Sequence, residues 1–506
     1  MTAMVVLDGE SLRLEDVGRV IEGEAVQLSG AARARMEASR LVVEDILRQR
    51  RPVYAVSTGV GNLCTVAIPA EDIRALQRNI VRSHAAGVGP AVGEDVVRAM
   101  LVLRANALAS GYSGVRPALV DTLVSMLNRG VHPVVPEQGS LGASGDLAPL
   151  AHLALVVMGE GEAFFQGERL AGGEAMRRAG IPPLALEPKE GIALINGTQF
   201  MSALGTLFLL EAERLVAVAD AAGALTIEAL RGTDTPFHPH LQRVRPHPGQ
   251  AQTADRLRAL LSGSERIVRE GYTRVQDAYS LRCIPQVHGA ARDMLGFLRG
   301  VLQIEINSAT DNPLVFPEDG SVLSGGNFHG QPLATALDAA AIAVASVGAM
   351  SERRVERLLN PHLSGLPAFL ARESGLHSGY MLAQYTAAAL VSENKVLCHP
   401  ASVDSIPTSA NQEDFVSMGA HAARKALQIL RNVQHVVAIE LLVAAQAVDL
   451  DSSGMLGRGT REVYEAVRAA VPMLREDRVL AEDLRQMTEW VRRGTLAERV
   501  EKVLVR

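Results

Sequence analysis

Residues 198–230 read TQFMSALGTLFLLEAERLVAVADAAGALTIEAL. Leu204, Leu207, Leu210, Leu215 and Val218 recur at helical spacing while Glu211, Glu213 and Arg214 gather on the other face, so the stretch predicts one long amphipathic helix. A second helix is expected over about Pro332–Leu359. Proline is tolerated in its first turn, Asn360-Pro361 makes a stop, and Ala334 to Met350 is almost wholly small or apolar. A third is expected over Gly379–Leu397, ended by His399-Pro400, and a fourth over Val416–Val448. The Ala-rich stripes at 334–350 and 436–446 offer more apolar surface than one subunit's bundle needs, so they are expected to pack on other subunits. Four such helices predict a mainly α fold with a long-helix bundle at its core. Upstream, short helices such as Val97–Ser110 alternate with glycine-rich turns at Ser57–Asn62 and Gly139–Gly145, leaving room for small sheets. The change of texture near residue 200 divides the chain into a mixed N-terminal region, 1–200, and a region of long-helix bundle and C-terminal helices, 201–506.

Composition agrees with helix. Hydrophobic residues make up 48% of the 506 and aromatics only 4%, so the core is built from Ala, Leu and Val. Fifty Lys+Arg against 56 Asp+Glu give a net charge of −6, which supplies no basic excess for nucleic acid. Cys64, Cys283 and Cys398 are too few and too scattered for a disulfide framework, and none has zinc-ligand spacing, so a reduced, cytoplasmic setting is expected. The apolar runs, such as Ala339–Met350, fall short of the ~20 residues that span a bilayer, so no membrane is expected. His238, His240 and His247 lie in 237–250, where interleaved Pro and Arg predict a surface loop and no metal site. Lysine occurs only at 189, 395, 425 and 502, none in a distinctive motif, which leaves little for a pyridoxal chemistry.

The segment Gly139-Ser-Leu-Gly-Ala-Ser-Gly-Asp-Leu-Ala-Pro-Leu-Ala-His152 carries the chemistry. As a phosphate loop it lacks Gly-Lys-Ser/Thr and places Asp146 where an anion would be repelled; as a nucleophile elbow it lacks the last glycine of GxSxG. A third reading is backbone chemistry. Gly145, without a Cβ, can bring its amide nitrogen onto the carbonyl carbon of Ala143 and close a five-membered ring. Loss of that oxygen and of the Ser144 hydroxyl as two waters leaves an exocyclic methylidene, an electrophile made with no external cofactor.

That segment closely resembles the signature of the aromatic amino acid ammonia-lyase/aminomutase family, which carries the 4-methylidene-imidazol-5-one (MIO) group. Tyr54-Ala-Val-Ser-Thr-Gly-Val-Gly61 resembles the family's tyrosine loop, Leu76-Gln-Arg-Asn-Ile-Val-Arg-Ser-His84 its substrate-side helix, and Leu194-Ile-Asn-Gly-Thr-Gln199 its asparagine motif. Gln276-Asp-Ala-Tyr-Ser-Leu-Arg282, Gly326-Asn-Phe-His329 and Ser409-Ala-Asn-Gln-Glu-Asp-Phe-Val-Ser-Met418 follow in order. The resemblance implies a homotetramer with shared active sites, an amino-acid substrate, and an MIO group from Ala143, Ser144 and Gly145 in the N-terminal region. It implies Tyr54 and Tyr279 as catalytic tyrosines, Arg282 as the grip on the substrate carboxylate, Asn196 and Asp146 as supports of the group, and Phe328 as a wall beside it. Gln276 joins the substrate side.

Ser83-His84, Asn196 to Gln199, Glu393-Asn-Lys395 and Gln412-Glu413-Asp414 resemble the histidine branch of the family. An imidazole needs polar partners, and Glu413 with His84 offers an acceptor and a switchable donor. Phe415, Ile284, Val60 and Gln331 depart from that branch, where His, Gln, Phe and Glu are usual, and Phe415 is expected to shape the pocket. The expected reaction is elimination of ammonia from L-histidine to trans-urocanate. The rivals are a thiol-imidazole betaine releasing trimethylamine, a phenylalanine or tyrosine lyase or 2,3-aminomutase, and a catalytically inactive scaffold. A phenol of ordinary pKa about 10 is expected to need positive charge or donors that lower it.

Overall fold

A computed structural model describes residues 4–269 and 275–504. Among these, twenty α-helices dominate and the strands are short. The helix read from residues 198–230 runs Gln199–Ala229, about 46 Å at 1.5 Å per residue. The second runs Gln331–Leu359, and its stop is physical: the Asn360 side chain accepts from the His362 N–H at 3.1 Å and starts the next helix, Pro361–Ser364. The third is Met381–Leu397 and the fourth Gly419–Leu450. The fourth starts later than its apolar pattern because Met418 sits at φ +53°, outside helical geometry. Glu94–Ala109 replaces the expected Val97–Ser110.

The chain forms two compact units. One holds the chain up to Leu207 together with Arg299–Asp338 and Pro400–Arg424; the other holds Phe208–Leu298, Ala339–His399 and the chain from Lys425. The contiguous division at 200/201 therefore differs from the observed one, in which two later segments return to the first unit. The strands all lie in that unit. Val5–Leu7 pairs in parallel with Val26–Leu28, Val88–Ala91 pairs with Pro136–Gln138, His132–Pro133 joins Glu162–Phe165 and Glu168–Ala171, and Leu314–Phe316 forms a hairpin with Ser321–Leu323.

The second unit is pinned by buried charge. Glu440, fully buried, accepts from Arg354 Nε at 2.5 Å and Nη2 at 2.8 Å, from Ser351 Oγ at 2.6 Å and from Thr226 Oγ1 at 2.9 Å. Asp220, also buried, accepts from Arg256 Nε at 3.0 Å and from Arg292, and pairs with His288 Nδ1 at 2.8 Å. Although burial opposes its ionisation, these cations, Arg292 foremost, pull its carboxyl down to about 2.

Three expectations are corrected here. Residues 237–250 are largely helical, not an irregular loop: Pro239–Val244 and Pro248–Leu260 each place proline in the first turn, where its missing N–H costs nothing, and His238 Nδ1 accepts from the His240 N–H at 3.2 Å as a cap. The Ala-rich stripe at 436–446, which promised apolar surface for another subunit, is buried within the chain throughout. Apolar length was also underestimated, because small residues extend the runs. Gln331–Leu359 and Gly419–Leu450 are long and apolar enough to cross a membrane by length and composition, yet 56% and 83% of their apolar windows are buried within the chain, as in packed core helices.

Candidate active site

The site grows from the turn that precedes the helix Leu147–Val157. Gly142 and Gly145 take φ +72° and +74°, and a Cβ on Gly145 would overlap the Gly197 carbonyl, so only glycine closes this turn. Gly145 bridges to Gly197, and the Asp146 N–H donates to the Gly197 carbonyl at 2.7 Å. That bridge sets the asparagine motif alongside Ala143-Ser144-Gly145. From below, Ala143 packs on Val416 and Met418, while Ser417 Oγ donates to the Gly142 carbonyl at 3.2 Å.

Asp146 is fully buried beneath the turn. Its carboxyl accepts from Ser140 Oγ at 2.8 Å and from the Met201 N–H at 2.9 Å, at the start of Gln199–Ala229. Burial outweighs those donors and raises its pKa to about 7, with Glu305 adding to the rise. Glu305 is itself pushed up by burial and accepts from Thr198 Oγ1 at 2.5 Å.

Ser144 opens into a cavity of about 950 Å³, lined also by Tyr54, His84, Asn196, Phe328 and Glu413. Ser144 Oγ lies 3.5 Å from Glu413 Oε1, whose other oxygen accepts from Thr408 Oγ1 at 3.1 Å. Tyr54 is held by the Gly61 N–H, which donates to its hydroxyl at 3.0 Å. Burial raises the Tyr54 pKa, the Gly61 donor opposes the rise, and the Glu413 charge adds to it. Among the described residues of this unit, a donor from Gly61 is present and no cation acts on the phenol. His84 Nδ1 faces the Ile80 carbonyl at 2.8 Å, so Nδ1 carries the proton and donates. Burial lowers its pKa, against the opposing pull of Ile80 and Glu413, and keeps the ring neutral.

The other expected residues stand elsewhere. Phe415 is 64% exposed, stacks on His329 with ring centroids 6.2 Å apart, and is not among the described residues lining the cavity; its neighbour Val416 turns inward instead, and adjacent residues of an extended segment face opposite ways. Gln276, Tyr279 and Arg282 belong to the second unit. Tyr279 is 70% exposed, the Arg282 guanidinium lies 4.6 Å from its ring centroid, and Arg282 Nε is buried without a hydrogen-bond partner among the described residues. Sequence reasoning missed Asn312, Cys64 and Ser324, which line the cavity, and Asp311 and Lys189 behind it. The signal available was Thr310-Asp-Asn-Pro313, three polar residues before a proline, all three buried.

The aromatic amino acid lyase family model matches residues 12–469. A histidine ammonia-lyase from Caldanaerobacter subterraneus subsp. tengcongensis is 55% identical over 98% of this chain and 97% of its own. The crystal structure of histidine ammonia-lyase from Trypanosoma cruzi superposes with a TM-score of 0.92 at 45% identity, covering 99% of this chain and 96% of that one. A tyrosine aminomutase from Streptomyces globisporus superposes with a TM-score of 0.95 at 42% identity, covering 99% of both. With glycine turn, asparagine motif and tyrosine loop gathered on one cavity and these likenesses spanning nearly its full length, the chain belongs to the aromatic amino acid lyase family.

Proposed function

We propose that the protein eliminates ammonia from L-histidine to give trans-urocanate, with an MIO group formed from Ala143, Ser144 and Gly145. The observation that carries the reading is the convergence of Ser144, Glu413, His84 and Tyr54 on one cavity. The histidine ammonia-lyases among its relatives support the choice of substrate. The turn fits the group: glycines at the two left-handed positions flank the Ala143-Ser144 pair, no Cβ is tolerated at Gly145, and Asn196 presents a buried amide oxygen without a partner among the described residues. Once formed, that group supplies an electrophile that turns the substrate's amine into a leaving group.

The chain's own residues do the rest. Tyr54 takes the weakly acidic β-proton; in this unit the Gly61 N–H is the donor that favours its ionised form, against burial and Glu413. Glu413 accepts from the one N–H of the neutral imidazole and so orients the substrate ring, while neutral His84 offers Nε2 as an acceptor to another substrate donor. Arg282 grips the carboxylate through a fork of donors, and Tyr279 serves as the second tyrosine. Tyr279 is largely exposed, and these two with Gln276 complete the site of a neighbouring copy in a homotetramer. Light scattering on the active enzyme is expected to give four chains; a fully active monomer contradicts shared sites. The three free cysteines suit a reduced cytoplasm.

Glu413→Gln keeps size and removes charge. It is expected to lower kcat/KM for histidine by roughly ten- to a hundredfold, about 1.5–3 kcal/mol, as a charge-assisted hydrogen bond becomes a neutral one. Unchanged histidine turnover in this variant, with phenylalanine processed well by the native enzyme, would replace histidine by phenylalanine or tyrosine as substrate. The same variant tests Tyr54. The Glu413 charge raises the phenol's pKa, so its removal lowers that pKa and moves the rise of kcat/KM with pH to lower pH. A shift to higher pH contradicts Tyr54 as the base.

A further inference from the structure

The cavity wall behind Ser144 is backed by a lysine with no part in the reading above. Lys189 is fully buried and holds φ +78°, a conformation that costs a side-chain-bearing residue strain, at the start of the helix Glu190–Ile195. Its Nζ donates to Asp311 Oδ2 at 2.5 Å. The other carboxylate oxygen accepts from the Asn312 N–H at 2.7 Å and from Asn196 Nδ2 at 3.4 Å, and the Asn312 carbonyl accepts from the same Nδ2 at 3.1 Å. Both groups facing the Asn196 amide nitrogen are acceptors that carry no proton. Turning the amide over would set its oxygen against a carboxylate and a carbonyl, so its orientation is dictated. The amide oxygen, Oδ1, is thereby left as a buried acceptor without a protein partner among the described residues, on a residue that lines the cavity. The Asn196 main chain is fixed as well: Arg104 Nη1 donates to its carbonyl at 2.9 Å and to Gln199 Oε1 at 2.6 Å, and Gln199 Nε2 donates to Thr310 Oγ1 at 2.9 Å.

We propose that Lys189 and Asp311 are positioning residues, which hold Asn196 with its amide oxygen available to the cavity as an obligatory hydrogen-bond acceptor. The occupant of the site must then bring a donor to it, because a buried acceptor left unmet costs free energy. Lys189 anchors one carboxylate oxygen of Asp311, which fixes the other against the Asn196 amide nitrogen. This assignment rests on the cavity being the catalytic site.

A double-mutant cycle tests it, run on whichever amino acid the native enzyme deaminates. Native turnover of histidine is scored separately, so that failure of the substrate reading and failure of this one are told apart. Asp311→Asn is expected to lower kcat about tenfold, the scale of losing an outer group that orients a ligand. In an Asn196→Ala background the same substitution is expected to change kcat by less than about twofold, because its effect passes through Asn196. Should Asp311→Asn fail to fold, the cycle is closed with Lys189→Gln, and Lys189→Arg is expected to restore most of the loss. Multiplicative effects of positions 311 and 196, or 189 and 196, overturn the proposal, since a general loss of structure would add to the Asn196 substitution rather than vanish with it.

Discussion

Ser144→Ala is expected to leave the chain folded, to give the full unmodified mass of the variant's own sequence, and to lower kcat by about 10³-fold or more. The side chain has little structural work. Ser144 is half-buried, and among the described residues its side chain makes one hydrogen bond, the 3.5 Å contact to Glu413. Losing the hydroxyl therefore costs little stability, whereas ring closure at Ala143-Ser144-Gly145 loses the oxygen that leaves as the second water. The native protein should be lighter than its sequence by two water molecules. A variant with more than about a tenth of native activity, or an active native protein of unmodified mass, contradicts backbone cyclisation.

Glu440→Gln is the substitution expected to cost most in stability, about 3–5 kcal/mol, because it strands the Arg354 guanidinium in the second unit with no opposite charge. Arg354 and Glu440 are both fully buried, and the carboxylate serves two arginine donors and two hydroxyls at once. Urea unfolding measures the loss as a fall in midpoint at constant slope. Replacing both partners, Arg354→Met with Glu440→Leu, should recover most of it, since apolar groups of similar volume leave no buried charge. A loss below about 1 kcal/mol in the single variant would show that the pair is dispensable.

The long helices were legible because their apolar residues recur at helical spacing, and Gln199–Ala229 departs from its expected limits by one residue at each end. Residues 237–250 misled because proline was read as a breaker when it stands in a first turn, where it favours a helix. The burial of 436–446 was not legible, since composition does not say whether an apolar stripe packs on its own chain or on another. Ser144, Tyr54, His84, Asn196 and Glu413 were found through ordered motifs, and they share a cavity. Lys189 and Asp311 lie far apart in sequence and belong to no motif read there, so their pairing emerges only in the fold. The charge that raises the Tyr54 pKa is not legible in the sequence for the same reason: it belongs to Glu413, which the fold brings near.

Histidine elimination is tested most directly by incubating the purified native protein with L-histidine, phenylalanine, tyrosine and a thiol-imidazole betaine while following conjugated acrylate absorbance and the released amine. Histidine is expected to give urocanate and ammonia in equal amounts, with a higher kcat/KM than any of the others. No acrylate from histidine, alongside turnover of one of the other three, would contradict the proposed function.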